Sequence, residues 1–313
     1  MHPSPRIEKS PEYTYLPAMT DFLKPIGALW RALPFTGPAA PLVTVIDLSG
    51  VIGDAGGPGR KGMSLKRLEK SLEAAFKPGK LSAVALAINS PGGSPVQSRL
   101  ILNAIRRHAK EKEVPVLAFI EDVGASGGYI LALAGDEIYA DDSSIVGSIG
   151  VISGGFGFHE AIRRLGVERR VYTAGENKSM LDPFQPEDPK DIERLEKILS
   201  DLHEQFKALV KDRRGDKLKD DPELFSGAIW TGPAAKERGL IDGIAQLGDF
   251  LREKFGEDVK IKRISPEAGS LLKKLLTGGE ERSPGFGAPP SLIDAEELIA
   301  ASERRALWAR YGL

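Results

Sequence analysis

The segment Leu81–Ile88 contains no charged side chain. A strand with one wet face alternates apolar and polar residues, whereas an uncharged run of this length suits a strand covered on both faces, as in a parallel sheet. Its neighbours in sequence agree. Leu42-Val43-Thr44-Val45-Ile46-Asp47-Leu48 is β-branched and apolar, and Val114-Pro115-Val116-Leu117-Ala118-Phe119-Ile120 is a third run of the same kind. Between these runs Leu65, Leu68, Leu72, Ala75 and Phe76, and then Val96, Leu100, Ile101, Ala104 and Ile105, recur at helical spacing. The βαβ rhythm predicts an α/β fold: a parallel sheet, right-handed crossovers and flanking helices.

Downstream, short strands are expected at Glu137–Ala140, Ser148–Ile152 and Glu168–Tyr172, with a helix over Phe158–Leu165. A long charged helix is expected over Pro186–Lys211, with Ile192, Leu195, Ile198, Leu202, Phe206, Leu209 and Val210 inward. Ala234–Arg238, Asp249–Phe255 and Ser265–Leu276 read as further helical pieces around a strand Val259–Ile261. The ends differ in composition. Residues 1–40 form an arm: Pro3, Pro5, Pro11 and Pro17 interrupt a polar stretch, and Phe22, Leu23, Ile26, Leu29, Trp30 and Leu33 make a short amphipathic helix. That helix is suited to a membrane surface, to its own domain or to a partner subunit. The expected domain spans 41–277, a Gly/Pro-rich linker spans 278–290, and 291–313 is a C-terminal amphipathic helix.

Composition narrows the function classes. The chain has 313 residues, 41% hydrophobic and 28% charged, enough for one large globular domain. A formal net charge of −1 gives no global field favouring nucleic acid. The absence of cysteine excludes thiolate catalysis, thiolate metal sites and disulfides. No cluster of His, Asp and Glu has metal-ligand spacing, and the glycine-rich loop Gly50–Gly62 lacks the Gly-Lys-Ser/Thr ending of a phosphate-binding loop. No metal or cofactor is expected. No apolar run approaches the ~18–20 residues that cross a bilayer. Met1–Lys9 is polar with no apolar core after it, so neither a signal peptide nor a membrane span is expected, and the location read from this is cytoplasmic.

Two small-residue loops fall at the carboxyl ends of predicted strands, where α/β sheets bind ligands. Asn89-Ser90-Pro91-Gly92-Gly93-Ser94 follows the second strand and Gly124-Ala125-Ser126-Gly127-Gly128-Tyr129 the third. Ser126 sits among residues with almost no side-chain bulk, just before an Ala/Leu-rich helix. Backbone amides can therefore approach whatever its hydroxyl touches. A serine needs a base to become a nucleophile. The four histidines are poor candidates: His2 lies in the arm, His108 and His203 on charged helices, and His159 beside Glu160 at a helix start. Most lysines lie on charged helix faces, but Lys178 lies in the loop Thr173–Phe184 with Met180, Leu181 and Phe184 available as an apolar wall. A lysine works as a base near neutral pH only when desolvation lowers its pKa from ~10.4 to about 7–8.

These loops, with Gly147-Ser148-Ile149-Gly150-Val151, Gly175-Glu176-Asn177-Lys178, Pro183-Phe184 and Ile229-Trp230-Thr231-Gly232-Pro233-Ala234-Ala235 ending in Gly239-Leu240-Ile241-Asp242, resemble the signal peptide peptidase A (protease IV, SppA/SohB-like) family of serine peptidases. The resemblance runs from about Leu42 to Phe250. It implies a ClpP/crotonase-like α/β fold and a Ser/Lys dyad, with Ser126 as nucleophile and Lys178 as base. It implies further that Ser148 orients the lysine and that the Gly93 and Gly127 amides form the oxyanion hole. Peptide substrates and ring-like homo-oligomers are also implied, with the base and nucleophile coming from one chain or from neighbours. Many members carry an N-terminal transmembrane anchor where this chain has only the Phe22–Leu33 helix, which leaves residual signal peptides and other apolar peptides both open as substrates. Two readings from other classes compete. One is an acyl-CoA hydratase or isomerase on the same kind of fold, using Glu121 and Asp122; the other is a non-catalytic oligomeric scaffold.

Overall fold

The computed structural model describes residues 40–53 and 62–265. Among these residues eight strands form one sheet: β1 (Leu42–Ser49), β2 (Ala83–Ser90), β3 (Val116–Ala125), β4 (Glu137–Ala140), β5 (Ile145–Gly147), β6 (Ile229–Thr231), β7 (Gly243–Ile244) and β8 (Lys260–Ile264). The main path runs β6-β5-β3-β2-β1-β8, with β4 beside β3 and β7 beside β4. All pairs are parallel except β5 with β6. The helices are α1 (Leu65–Phe76), α2 (Pro95–Lys112), α3 (Gly127–Ala132), α4 (His159–Arg164), α5 (Pro189–Arg214), α6 (Gly232–Glu237) and α7 (Leu247–Phe255). This is the α/β class expected, a mainly parallel sheet with βαβ units and flanking helices.

The uncharged β2 is covered on both faces. Successive strand side chains point to opposite faces. Ile46, Leu48, Leu86, Ile88, Ala118 and Ile120 accordingly pack with residues of α1, α2 and α3. Val43, Val45, Ala85, Ala87, Leu117 and Phe119 form a second core with Leu251 of α7. Each large side chain so buried contributes about 1.5–3 kcal/mol. Thr44 is wholly buried in β1, and its hydroxyl donates to the Ala75 carbonyl at 2.9 Å, so the polar atom is not orphaned. The start of α2 is capped: Ser94 accepts from the Gln97 amide, and Pro95 takes the first helical position, where its missing N–H costs nothing.

Several expectations are corrected. β3 does not stop near Ile120 but continues to Ala125, because Val123, Gly124 and Ala125 pair with β5. Ser148–Ile152 is not a strand; β5 ends at Gly147, where positive φ at Gly147 and Ser148 turns the chain out of the sheet. Glu168–Tyr172 has no strand partner among the described residues and remains irregular. The inward face expected for α5 is realised only near its C-terminus: Phe206 and Val210 are buried, while Ile198 is 49% exposed. The residues 1–39, the loop 54–61, the helix expected beyond Ser265, the linker and the C-terminal helix lie outside the described residues.

One ion pair ties the C-terminal half to the sheet. Arg214, buried at the end of α5, donates from Nε to the Gly239 carbonyl at 2.8 Å and from Nη1 to Asp242 at 2.8 Å. Asp242 also accepts from Lys217 at 2.6 Å and from the Ile138 amide at 2.8 Å. Burial pushes the Asp242 carboxyl up, but the hydrogen bonds from Arg214, Lys217 and the Ile138 amide outweigh it and hold the group below its ordinary value. The depressed value makes the sign definite: this stability is present above the unfolded carboxylate pKa near ~4 and is lost as pH falls through the lower folded value. Asp242→Asn should cost about 3–5 kcal/mol in urea denaturation at neutral pH, since it strands a buried guanidinium. It should also flatten the acid limb of the stability profile. A loss under about 1 kcal/mol would show that the pair is not a structural tie.

Candidate active site

Ser126 occupies the one-residue corner between β3 and α3. Its φ of 52° and ψ of −120° belong to a region normally left to glycine, at a cost on the order of 1–3 kcal/mol. Neighbours hold it there. The Ser126 amide donates to the Gly147 carbonyl at 2.8 Å, and its carbonyl accepts from the Tyr129 and Ile130 amides at 3.0 and 3.1 Å. Tyr129 is anchored in turn: its buried hydroxyl donates to the Leu240 carbonyl at 2.8 Å, and burial raises its pKa.

The second loop comes in against this corner. Ser90 pins it, with its hydroxyl donating to the Gly50 carbonyl at 2.7 Å and accepting from the Gly92 amide at 3.2 Å. Gly92 has φ 103°, and a Cβ there would lie 2.8 Å from the Gly127 nitrogen and 2.9 Å from Ser126 Cβ. A Cβ on Gly127 would lie 3.3 Å from the Gly93 nitrogen. The Gly93 and Gly127 amides therefore meet beside Ser126, and neither donates to a turn or loop carbonyl among the described residues.

Gly93, Ser126, Gly127 and Ser148 line one cavity of about 440 Å³, whose apolar wall includes Ile130, Leu202, Phe206 and Leu209. Ser148 is half-buried with φ 53°, and its amide donates to the Ala228 carbonyl at 2.7 Å. His203, expected only as a residue of a charged helix, is partly buried with Nε2 3.1 Å from the Ile149 carbonyl, next to Ser148. It braces this loop against α5, and no sequence signal links residues so far apart.

Lys178 is not on that cavity's wall. It is exposed, in a turn where its amide donates to the Gly175 carbonyl at 3.3 Å. The expected apolar wall does not enclose it: Phe184 packs on Phe158 with ring centroids 5.7 Å apart and lies under Arg169. Nor does any histidine among the described residues line the cavity. His159 is half-buried near Glu160, and His108 stacks on Phe76. Glu121 and Asp122 line a different cavity, of about 530 Å³, together with Asp141, Ser144 and Gln246. Burial raises the Glu121 pKa, partly offset by Arg263. The larger cavity thus has the carboxylates, and the smaller has Ser126 beside the backbone of Gly93 and Gly127.

A hydroxyl on a strand-to-helix corner with paired amides can support acyl transfer, in which negative charge develops on a carbonyl oxygen. Residues 108–261 match peptidase family S49. The chain is thus similar to this family over those residues, and its relatives include SppA and SohB proteases. It is 49% identical to the Na(+)/H(+) antiporter NhaA of Brucella abortus over 279 residues, which are 87% of this chain but 37% of that protein. It is 31% identical to the putative protease MJ0651 of Methanocaldococcus jannaschii over 173 residues, 55% of each chain. It is also 31% identical to the chloroplastic serine protease SPPA of Arabidopsis thaliana over 204 residues, 64% of this chain and 29% of that protein. The chain therefore spans only 29–55% of the length of these relatives.

The strained corner makes a prediction about stability. Ser126→Gly should raise unfolding free energy by about 1 kcal/mol relative to Ser126→Ala, because glycine alone adopts this conformation without penalty. Paired urea titrations measure the difference. Equal stability of the two variants would mean that the corner stores no strain.

Proposed function

We propose that the protein is a serine endopeptidase in which Ser126 is the nucleophile and Lys178 the general base. The observation that carries this reading is the convergence of the Ser126 corner with the Gly93 and Gly127 amides on one cavity wall. In the proposed cycle the Ser126 hydroxyl attacks the scissile carbonyl while the Lys178 amine takes its proton. The two glycine amides receive the oxyanion, a contribution of about 3–4 kcal/mol per donor in other enzymes. The lysine then returns the proton to the leaving amine, and water hydrolyses the acyl-enzyme. Ser148 orients the lysine from the rim of the same cavity.

In the described structure Lys178 stands away from this cavity, on a segment whose apolar side chains are bare: Ile152 is 67%, Leu165 77% and Tyr172 91% exposed. Such surface calls for cover. In the proposed reading, assembly of copies into a closed homo-oligomer covers it and carries Lys178 to a Ser126 cavity. The apolar wall from Ile130 to Leu209 suits peptides with apolar side chains, residual signal peptides among them. Among the described residues no helix is long and apolar enough to cross a membrane. A cytoplasmic place, with or without peripheral membrane contact, belongs to the same proposal.

The hydratase reading is less well supported, because its carboxylates, Glu121 and Asp122, line the other cavity. The scaffold reading predicts no reactive serine. A fluorophosphonate probe should label the wild-type protein and fail to label Ser126→Ala; equal labelling of the two would remove Ser126 as nucleophile. Lys178→Ala should lower peptide turnover about 10²–10⁴-fold while preserving fold and assembly size. Retained turnover would point to another base. Mixing Ser126→Ala with Lys178→Ala protein restores activity only if the base is supplied by a neighbouring copy.

A further inference from the structure

Among the described residues, the cavity beside Ser126 has one ionisable side chain on its wall, Arg99, and no carboxylate. Arg99 lies in the second turn of α2, whose first residue, Pro95, lines the same wall. Farther along the helix, Arg106 is paired with Asp136 and Arg107 with Glu111. Arg99 has no such partner among the described residues. Its helical neighbours Val96 and Leu100 are apolar and 64% and 41% exposed. A guanidinium flanked by apolar side chains, at the edge of a cavity with no competing acid, favours anions and rejects cations. The amide ends at the start of α2 add potential of the same sign.

We infer that Arg99 is a specificity residue that receives a carboxylate of the bound peptide, either its free C-terminus or an acidic side chain near the scissile bond. The inference rests on the Ser126 cavity being the peptide site. The guanidinium fork matches a carboxylate through two parallel N–H···O bonds, a geometry that lysine cannot reproduce. The apolar wall would then select one side chain and Arg99 the charge beside it. Such a site prefers peptides cut close to their C-terminus, or next to Asp or Glu, over uninterrupted apolar segments.

Binding to the full-length Ser126→Ala protein tests this without requiring turnover. Three fluorescent peptides share one apolar sequence: a free C-terminal acid, its C-terminal amide, and an amide carrying one glutamate. Anisotropy titrations should show at least one carboxylate-bearing peptide binding about tenfold more tightly than the neutral amide. The two acidic peptides separate the C-terminal from the side-chain source. Adding Arg99→Ala should abolish that preference, Arg99→Lys should retain part of it, and Arg99→Glu should reverse it. Circular dichroism verifies that each variant is folded. Equal affinity for all three peptides, no binding of any, or a preference that survives Arg99→Ala would overturn the inference. The catalytic reading is judged separately by probe labelling of wild-type protein. A labelled serine without carboxylate preference sinks only this inference, and an Arg99-dependent preference without labelling sinks only the catalysis.

Discussion

The arrangement depends on two backbones coming closer than any side chain permits. Gly92 faces Gly127 and Ser126 at distances a Cβ would violate, and a Cβ on Gly128 would lie 2.3 Å from the Ser90 carbonyl oxygen. That closeness brings the Gly93 nitrogen up against Gly127, beside Ser126. It also forces Ser126 into a left-handed conformation, which ends β3 abruptly and starts α3 with the hydroxyl at the corner. The strain is local, on the order of 1–3 kcal/mol, and is small beside the apolar burial on either side of the corner. Wholly buried Ile88 and Val123 lie on the strand side, and wholly buried Tyr129 and Leu131 on the helix side.

The corner is held from behind by a chain of polar contacts. Tyr129 donates to Leu240, and Asp242 two residues later binds both Arg214 and the Ile138 amide. These contacts link α3, α5 and β4 through a short loop, so the helix that follows Ser126 is tied to the end of α5. Arg214 is nearly inaccessible and hydrogen-bonded through all three of its nitrogens, the condition under which a buried charge is tolerated. The rim opposite the corner is braced separately, where His203 meets the Ile149 carbonyl.

The two cavities divide the chemistry. Carboxylates gather in one, and in the other Ser126, Ser148, Ser226, Gln205 and Arg99 share a wall with apolar residues and the backbone of Gly93 and Gly127. This separation favours acyl transfer over acid–base chemistry on a thioester at the Ser126 cavity. The exposed position of Lys178 and the bare apolar residues around it have one physical cause. Residues 152–188 pack little against the sheet, so Lys178 and Leu165 there are both exposed.

What the sequence determined by itself was the layered sheet and the two small-residue loops. An uncharged Leu81–Ile88 tolerates no wet face, and Gly92, Gly93, Gly127 and Gly128 mark close approach without specifying to what. The helical spacing of Leu68, Leu72, Ala75 and Phe76 was legible because burial on one face leaves a periodic trace. Tertiary structure alone decided the extension of β3 to Ala125, which needs β5 as partner, and the absence of strand over Glu168–Tyr172, which has none. It alone decided the meeting of Arg99 and Ser148 on the Ser126 cavity, the contact of His203 with Ile149, the diversion of Glu121 and Asp122 to another cavity, and the exposure of Lys178. Periodicity reports which face of a segment is buried, whereas pairing, cavity walls and solvent access depend on residues far away in the chain, and one-dimensional spacing carries no record of them.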